Sequence, residues 1–187
     1  MRVAEKPPGE YPWYVRVLLR LQRRKYGQIL KPALLWARSP RLFIAMALFY
    51  GALERKRSPL DPALRSLVMV QVSQRNACRF CVDLNSALLA QRSAGTSAPI
   101  GERERAALEY AEAMTAEGVP VADELFARLQ RHFDDDAIVE LTALVAFQNL
   151  SSRFNSALDV PAQGFCELPE PRAPVIKLPA DQRRPGA

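Results

Sequence analysis

The chain has 187 residues, of which 49% are apolar and 25% are charged, a composition typical of a soluble globular protein. Because a single core can grow to roughly 250 residues before it splits, we expect one domain. Only eight glycines are present, which argues against a turn-rich all-β chain. Three cysteines, an odd number, argue against a disulfide-stapled secreted domain. No apolar signal core opens the chain, so we expect a cytoplasmic protein.

The net charge of +6 is unevenly distributed: residues 1–60 carry +10, whereas residues 61–166 carry −5. A basic segment can bind nucleic acid or an acidic lipid surface. A solvated helix face, or a contact with the acidic half of a neighbouring subunit, is the simpler interpretation, and we do not expect nucleic acid as a partner. The longest apolar stretch, Leu42–Leu53, is shorter than the roughly 20 residues of a membrane span, so none is predicted.

Prolines and the lack of periodicity predict an extended N-terminal arm at residues 1–11 and a proline-rich C-terminal tail at 167–187. A helical domain is predicted between them, at 12–166. Apolar residues at helical spacing predict helices near 12–25 and 40–55.

The strongest helix start lies at Asp61-Pro62, where the aspartate can cap the helix and the proline suits its first turn. This helix is predicted to reach Arg75, followed by a break at Asn76-Ala77 and a helix from Cys78 to about 91. Residues 92–100 are predicted to form a loop. Further helices are predicted before Gly118, around 125–129, and from the acidic run 134–136 to about Leu158. No stretch alternates as a strand would, so the predicted fold is all-α.

Cys78-Arg79-Phe80-Cys81 is the motif best suited to chemistry. At the start of a helix the two cysteines lie on one face, about 4.5 Å apart along the axis, so a disulfide can close between them. The helix N-terminus favours a thiolate, and Arg75 and Arg79 are possible sources of further positive charge.

Two other interpretations of the cysteine pair remain: inert core cysteines, or half of a zinc site. Zinc requires further ligands, and the available candidates are Cys166 and the single His132. We therefore favour a redox dithiol and predict neither a metal nor another cofactor.

Two stretches carry a family resemblance: LDPALRSLVMVQVSQRNACRFCVDLNSALL and IVELTALVAFQNLSSRFNSALDV. Together they predict a capped helix, a break, a CxxC that opens the next helix, and a long helix with a polar end. This combination resembles the AhpD-like alkylhydroperoxidase/carboxymuconolactone decarboxylase superfamily over roughly residues 41–166. The resemblance implies an AhpD-like helical bundle with the CxxC at the N-terminus of a core helix. It also implies a homo-oligomer, as a dimer, trimer or hexamer.

In peroxidase members of that superfamily, a Glu twelve residues before the first cysteine and a His four residues after the second relay protons. The resemblance implies that Cys81 attacks the peroxide and Cys78 resolves the sulfenic acid. Here Ser66 and Asn85 occupy the relay positions, and neither is a base near neutral pH. Helix-terminus electrostatics instead favours Cys78 as the nucleophile, so the order of the cysteines stays open.

Three residues are predicted to lie beside the cysteine pair and to support it without reacting themselves: Ser66, Asn85 and Asp83. Asp83 follows Cys81 by two residues, which turns it roughly 200° away on an ideal helix, so a solvated aspartate is the alternative. The last helix ends in a polar stretch that either lines a pocket or makes hydrogen bonds in the core: Gln148, Asn149, Ser152, Arg153 and Asn155.

The leading functional hypothesis is a thiol-dependent oxidoreductase with peroxiredoxin-like or alkylhydroperoxidase-like activity. Its partners would be a small-molecule hydroperoxide and a thiol or disulfide donor protein, since no dinucleotide fingerprint is present. One alternative is a carboxymuconolactone-decarboxylase-like enzyme acting on a small lactone acid. Another is a non-enzymatic, redox-sensing oligomer that has lost the proton relay.

Overall fold

The computed structural model describes residues 1–94, 100–118 and 120–166, and all regular structure within these ranges is helical. This confirms the predicted all-α fold. The predicted tail, and residues 95–99 of the predicted loop, lie outside the described residues. A 3-10 turn at Pro8–Glu10 is followed by α1 (Trp13–Tyr26), α2 (Lys31–Trp36), α3 (Pro40–Leu53), α4 (Pro62–Arg75), α5 (Arg79–Arg92), α6 (Glu102–Thr115), α7 (Asp123–Gln130) and α8 (Asp135–Ala157).

Helix α4 lies at the centre and packs against α5, α6 and α8. Its apolar residues are buried on more than one side, with Val68 and Val72 almost completely enclosed. The predicted cap is present: Asp61 Oδ1 accepts a hydrogen bond from the Leu64 N–H at 2.8 Å. Such a cap stabilises a helix by about 1 kcal/mol and fixes where α4 begins.

The chain changes direction between α4 and α5 at Ala77, whose φ of 49° lies in the left-handed region. Cys78 is the N-cap of α5, and its Sγ accepts a hydrogen bond from the Cys81 N–H at 3.2 Å. The helix therefore begins at Arg79, one residue later than predicted. Cys81 lies in its first turn.

Helix α8 has 23 residues and spans about 35 Å. Asp134 caps it by accepting from the Ala137 N–H at 2.8 Å. Leu141 and Val145 belong to the main core. The C-terminal half of α8 buries polar side chains instead, and this half lies beside the cysteines.

The N-terminal part forms a second apolar cluster, around α1, α2 and α3. Helix α2 was not predicted, because its six residues are too few to establish a period. The arm at 1–11 contains a 3-10 turn and lies against the domain, so it is not extended throughout. The Tyr11 hydroxyl donates to the Leu34 carbonyl at 3.0 Å, and the Arg2 N–H donates to the Leu158 carbonyl at 2.9 Å.

Among the described helices, none combines the length and the hydropathy required to cross a lipid bilayer.

One ion pair links the segment after α3 to α8: Arg55 contacts Glu140, which also accepts from the Ser58 hydroxyl at 2.7 Å. Burial raises the pKa of Glu140, but the hydrogen bonds from Arg55 and Ser58 outweigh it and hold the pKa below the ordinary 4.5. A carboxyl group with a depressed folded-state pKa stabilises the fold above its unfolded pKa. That stability is lost as the pH falls through the folded value.

We expect Glu140→Gln to flatten the fall in the free energy of unfolding between about pH 5 and pH 3. Urea denaturation at a series of pH values measures this slope. Glu124→Gln, at an exposed carboxylate of α7, is the matched control. An equal slope in wild type and Glu140→Gln would contradict the expectation.

Candidate active site

A disulfide joins Cys78 to Cys81, with the two Cα atoms 5.2 Å apart. Both side chains are buried, at 1% and 3% exposure. They belong to a third apolar cluster, together with Leu35, Phe80 and Val160. The segment after α8 and the first turn of α5 thus enclose the cysteine pair.

A cavity of about 340 Å³ lies where the three apolar clusters meet. Cys81 contributes to its lining, whereas Cys78 does not. Its apolar walls include Leu18, Trp36, Phe43, Met46, Met69 and Leu84. An apolar cavity of this size with a few polar groups is the usual form of a small-molecule site.

The two sulfurs accept hydrogen bonds from different donors. Cys78 Sγ accepts from the Cys81 backbone N–H, as described above. Cys81 Sγ accepts from Asn155 Nδ2 at 3.3 Å. Asn155 is 1% exposed, and its Oδ1 has no hydrogen-bond partner within the part of the chain that the structure describes. A buried, unpaired amide oxygen is costly, and this one is a hydrogen-bond acceptor close to the Cys81 sulfur.

The arginines near the motif are paired elsewhere. Arg79 is exposed and contacts Asp159 at 2.8 Å, and Arg75 contacts Glu112 at 3.0 Å. Neither guanidinium group is thus directed at the sulfurs, contrary to the expectation that they supply positive charge there.

Ser66 is buried, and its hydroxyl accepts from Arg92 Nη1 at 2.9 Å. Arg92 also forms an ion pair with Glu54, at the end of α3. Ser66 is absent from the cavity lining, so it takes part in a structural cluster between α3, α4 and α5.

Asn85 is buried and lines the cavity. Its amide donates to the Ser73 hydroxyl at 3.0 Å and to Gln148 Oε1 at 3.3 Å. Gln148 in turn donates to the Ser152 hydroxyl at 2.9 Å. This network beside the cysteines consists of amides and hydroxyls, none of which titrates near neutral pH.

The polar stretch of α8 divides between the two predicted roles. Gln148 lines the cavity and Asn155 contacts Cys81. Asn149 instead donates to the Thr115 hydroxyl at 3.1 Å, away from the cavity, and Arg153 is exposed, 3.7 Å from Glu117.

The prediction that Asp83 supports the cysteine pair is wrong, because its carboxylate contacts backbone groups of the segment after α8 and not the sulfurs. Its carboxylate accepts from the backbone N–H groups of Gln163 and Cys166, each at 2.8 Å. Because α5 turns Asp83 away from Cys81, the carboxylate anchors the segment after α8. Cys166 is a half-buried free thiol, and His132 is exposed.

A polar group at the cavity was not predicted from the sequence: Lys25, Tyr26 and Tyr50. The hydroxyls of Tyr26 and Tyr50 lie 3.3 Å apart. Lys25 Nζ lies 4.9 Å from the centroid of the Tyr26 ring and 5.7 Å from that of Tyr50. Burial, and next the Tyr26 phenol, raise the pKa of Tyr50 well above its usual value, so Tyr50 stays a neutral hydrogen-bond donor.

Across the described ranges, no group of three or more histidine, cysteine, aspartate or glutamate side chains is arranged to hold a metal ion.

Comparison with known proteins identifies the family. Residues 40–124 match the model of the carboxymuconolactone decarboxylase family. The Escherichia coli K12 protein YnjA is 46% identical over 178 residues, covering 89% of this chain and 98% of YnjA. The chain belongs to the AhpD-like/carboxymuconolactone decarboxylase superfamily.

Solved structures of the superfamily share the fold. An alkylhydroperoxidase AhpD core, an uncharacterized peroxidase-related protein from Ralstonia eutropha JMP134, is 25% identical with a TM-score of 0.77. The match covers 88% of this chain and 93% of that one. The debrominase Bmp8 is 19% identical, with a TM-score of 0.74 over 86% of this chain and 91% of its own, and shows likeness of fold alone.

The two positions that the family resemblance assigns to a proton relay, Ser66 and Asn85, lie in different surroundings in this structure. Ser66 contacts Arg92, and the carboxylate of that cluster comes from Glu54 of α3, which sequence reasoning missed. Asn85 keeps its place at the cavity but contacts other amides and hydroxyls. Among the described residues beside the sulfurs, the features that favour a thiolate are therefore hydrogen-bond donors and the helix terminus.

Proposed function

We propose that this protein is a thiol-dependent peroxidase that reduces organic hydroperoxides through Cys81 and Cys78. The observation that carries the proposal is the position of Cys81, which is disulfide-bonded to Cys78 and lines an apolar cavity. The AhpD-core relative supports the same class of activity.

In the proposed reaction, the Cys81 thiolate attacks the terminal oxygen of the hydroperoxide and the O–O bond breaks. The alkoxide leaves and takes up a proton to become the alcohol, and Cys81 becomes a sulfenic acid. The Cys78 thiolate then attacks the Cys81 sulfur and expels hydroxide, which is protonated to water. The hydroperoxide is thus reduced by two electrons, and the two thiols are oxidised by two electrons to the disulfide. An external thiol donor restores both thiols by exchange.

Cys81 is favoured as the attacking thiol because a substrate in the cavity meets it and not Cys78. The Asn155 amide donates to Cys81 Sγ, and the start of α5 adds a partial positive charge; both favour a thiolate. The Asn155 Oδ1, which has no hydrogen-bond partner among the described residues, would accept a hydrogen bond from the bound hydroperoxide and so orient it, while the Cys81 proton leaves to solvent before attack. Asn155 would thereby take the positioning part of the role of the missing His but not its part as a base.

We expect Asn155→Leu to slow alkylation of Cys81 near neutral pH by roughly five- to tenfold, because a hydrogen bond to a charged group is lost. The alkylation rate of the reduced protein against pH, resolved for each cysteine by mass spectrometry, measures the effect. Gln130→Leu, which removes an exposed amide at the end of α7, is the control. An unchanged rate profile in Asn155→Leu would refute this role.

The direct test mixes the reduced protein with one equivalent of cumene hydroperoxide. One equivalent of alcohol should appear as Cys78 and Cys81 lose their thiols and form the disulfide, and dithiothreitol should permit repeated turnover. Cys166→Ser should behave as the wild type. Disulfide formation no faster than that of a model dithiol would refute the proposed function.

The lactone-acid alternative gains no support from the cavity. Such chemistry requires a general base, and the lining residues described include no carboxylate and no imidazole. Lys25 and the Tyr26–Tyr50 pair would have to serve instead, and burial keeps Tyr50 protonated.

That the chain assembles as a homo-oligomer remains a prediction from the family resemblance. Exposed Trp13 of α1 and Leu42 and Leu48 of α3 are apolar side chains that a neighbouring subunit would cover.

A further inference from the structure

We propose that Lys25, Tyr26 and Tyr50 bind the carboxylate of the substrate, so that the preferred substrate is the hydroperoxide of an apolar carboxylic acid. This inference deepens the proposed function and relies on it for the reaction at Cys81. The carboxylate site itself follows from the cavity and from the groups that line it.

Lys25 supplies the charge. It is exposed on α1 but lines the cavity, and its Nζ lies against the rings of both tyrosines. Among the described residues Lys25 enters no ion pair, in contrast to the arginines of α5. The aromatic faces hold the ammonium group over the cavity while its protons remain available to an anion.

The tyrosine pair supplies a directed donor. The hydroxyls of Tyr26 and Tyr50 are 3.3 Å apart, so one donates its proton to the oxygen of the other. The hydroxyl that accepts this hydrogen bond keeps its own proton, which can be donated to a ligand. Since burial keeps Tyr50 a neutral phenol, this proton is present at physiological pH. Glu54, one turn after Tyr50, is neutralised by Arg92 and so does not repel an incoming anion strongly.

The polar group and Cys81 lie towards different ends of α5. Cys81 is in the first turn of α5, whereas Arg92, in its last turn, pairs with Glu54, one turn after Tyr50. The pair with Arg92 thus connects the tyrosine side of the cavity to the end of α5 opposite Cys81. Between them the walls are apolar, from Met46, Met69 and Leu84.

These features together select an amphipathic ligand. The Lys25 ammonium group and a tyrosine hydroxyl that donates favour an anionic group on the ligand, and the apolar walls favour an uncharged, apolar body. A carboxylate on an apolar skeleton meets both requirements and directs a hydroperoxide at the other end of the molecule towards Cys81.

Binding can be tested without turnover. The probes are 4-isopropylbenzoate and its methyl ester, which share an apolar body and differ in charge, titrated into the oxidised protein by calorimetry. We expect the acid to bind roughly tenfold more tightly than the ester, the ratio that a hydrogen bond to a charged group supplies. Lys25→Met should make the two affinities equal, and Tyr50→Phe should weaken the acid alone.

Arg24→Met is the matched control, because it removes an exposed charge from the same turn of α1 outside the cavity. It should leave the preference for the acid intact. Equal binding of acid and ester by wild type, or a preference that survives Lys25→Met, would overturn the inference.

The outcome for the reaction is separate. If the acid binds through Lys25 but reduced protein fails to reduce cumene hydroperoxide, the carboxylate site stands and the peroxidase proposal fails. If cumene hydroperoxide is reduced while acid and ester bind equally, the peroxidase proposal stands and the carboxylate site fails.

Discussion

Replacing Cys81 by serine is expected to lower hydroperoxide reduction by roughly a thousandfold or more, because a serine hydroxyl is not ionised at neutral pH and is a far weaker nucleophile. Cys78→Ser is expected to behave differently. Its Cys81 should still reduce one equivalent of hydroperoxide at a rate within a few-fold of the wild type. It should then stop as a sulfenic acid, because no resolving thiol remains.

Rapid-quench kinetics of a single turnover, with dimedone to trap the sulfenic acid and mass spectrometry to locate it, separates the two variants. Cys166→Ser, at the half-buried free thiol, serves as the control. A trapped sulfenic acid on Cys78 of the Cys81→Ser protein would reverse the order of the cysteines. It would favour the helix-terminus argument over access to the cavity.

Replacing Arg92 by methionine is expected to lower the free energy of unfolding by about 2–4 kcal/mol, because it leaves the Glu54 carboxylate without its partner. The side chains of Arg92 and Glu54 are 17% and 10% exposed. Ser66 also loses its donor. A buried charge without its partner costs more than the ion pair itself contributes, so the single substitution is harsher than removal of both groups.

The double variant Glu54→Gln/Arg92→Met should therefore recover a substantial part of the loss, as measured by urea denaturation. Arg105→Met, which breaks an exposed pair with Glu102, should cost less than about 0.5 kcal/mol. If Arg92→Met were as mild as Arg105→Met, the cluster would be a surface feature. If the double variant were less stable than Arg92→Met, the neutralising role of Arg92 would be wrong.

Local signals predicted the helices well wherever caps and period were clear. Asp61 with Pro62, and the acidic start of α8, mark helix starts through contacts within one turn, which a sequence displays directly. Helix α2 was missed because its six residues are ordered by packing against α1 and α3 and carry too little period to detect.

Only those features of the site that depend on residues close together in the sequence could be predicted. The spacing of Cys78 and Cys81 indicated a possible disulfide, but the choice of nucleophile depends on a cavity to which six helices, α1 to α5 and α8, contribute residues. Lys25 and Tyr50 could not be associated from the sequence, because 25 positions and helix α2 separate them. The same holds for Glu54 and Arg92, which are in contact in the structure but lie 38 positions apart in the sequence.

The capping role of Cys78 gives the first turn of α5 a redox-dependent strength. In the oxidised protein the Cys81 amide proton is held by a disulfide sulfur, a weak acceptor. A thiolate at Cys78 accepts the same proton more strongly, since hydrogen bonds to ionised groups are shorter and stronger. Reduction removes the covalent link across this turn, and ionisation of Cys78 then strengthens the hydrogen bond that starts the helix. Deuterium exchange of the Cys81 amide in the reduced protein is therefore expected to be slower at a pH where Cys78 is ionised than in Cys78→Ser.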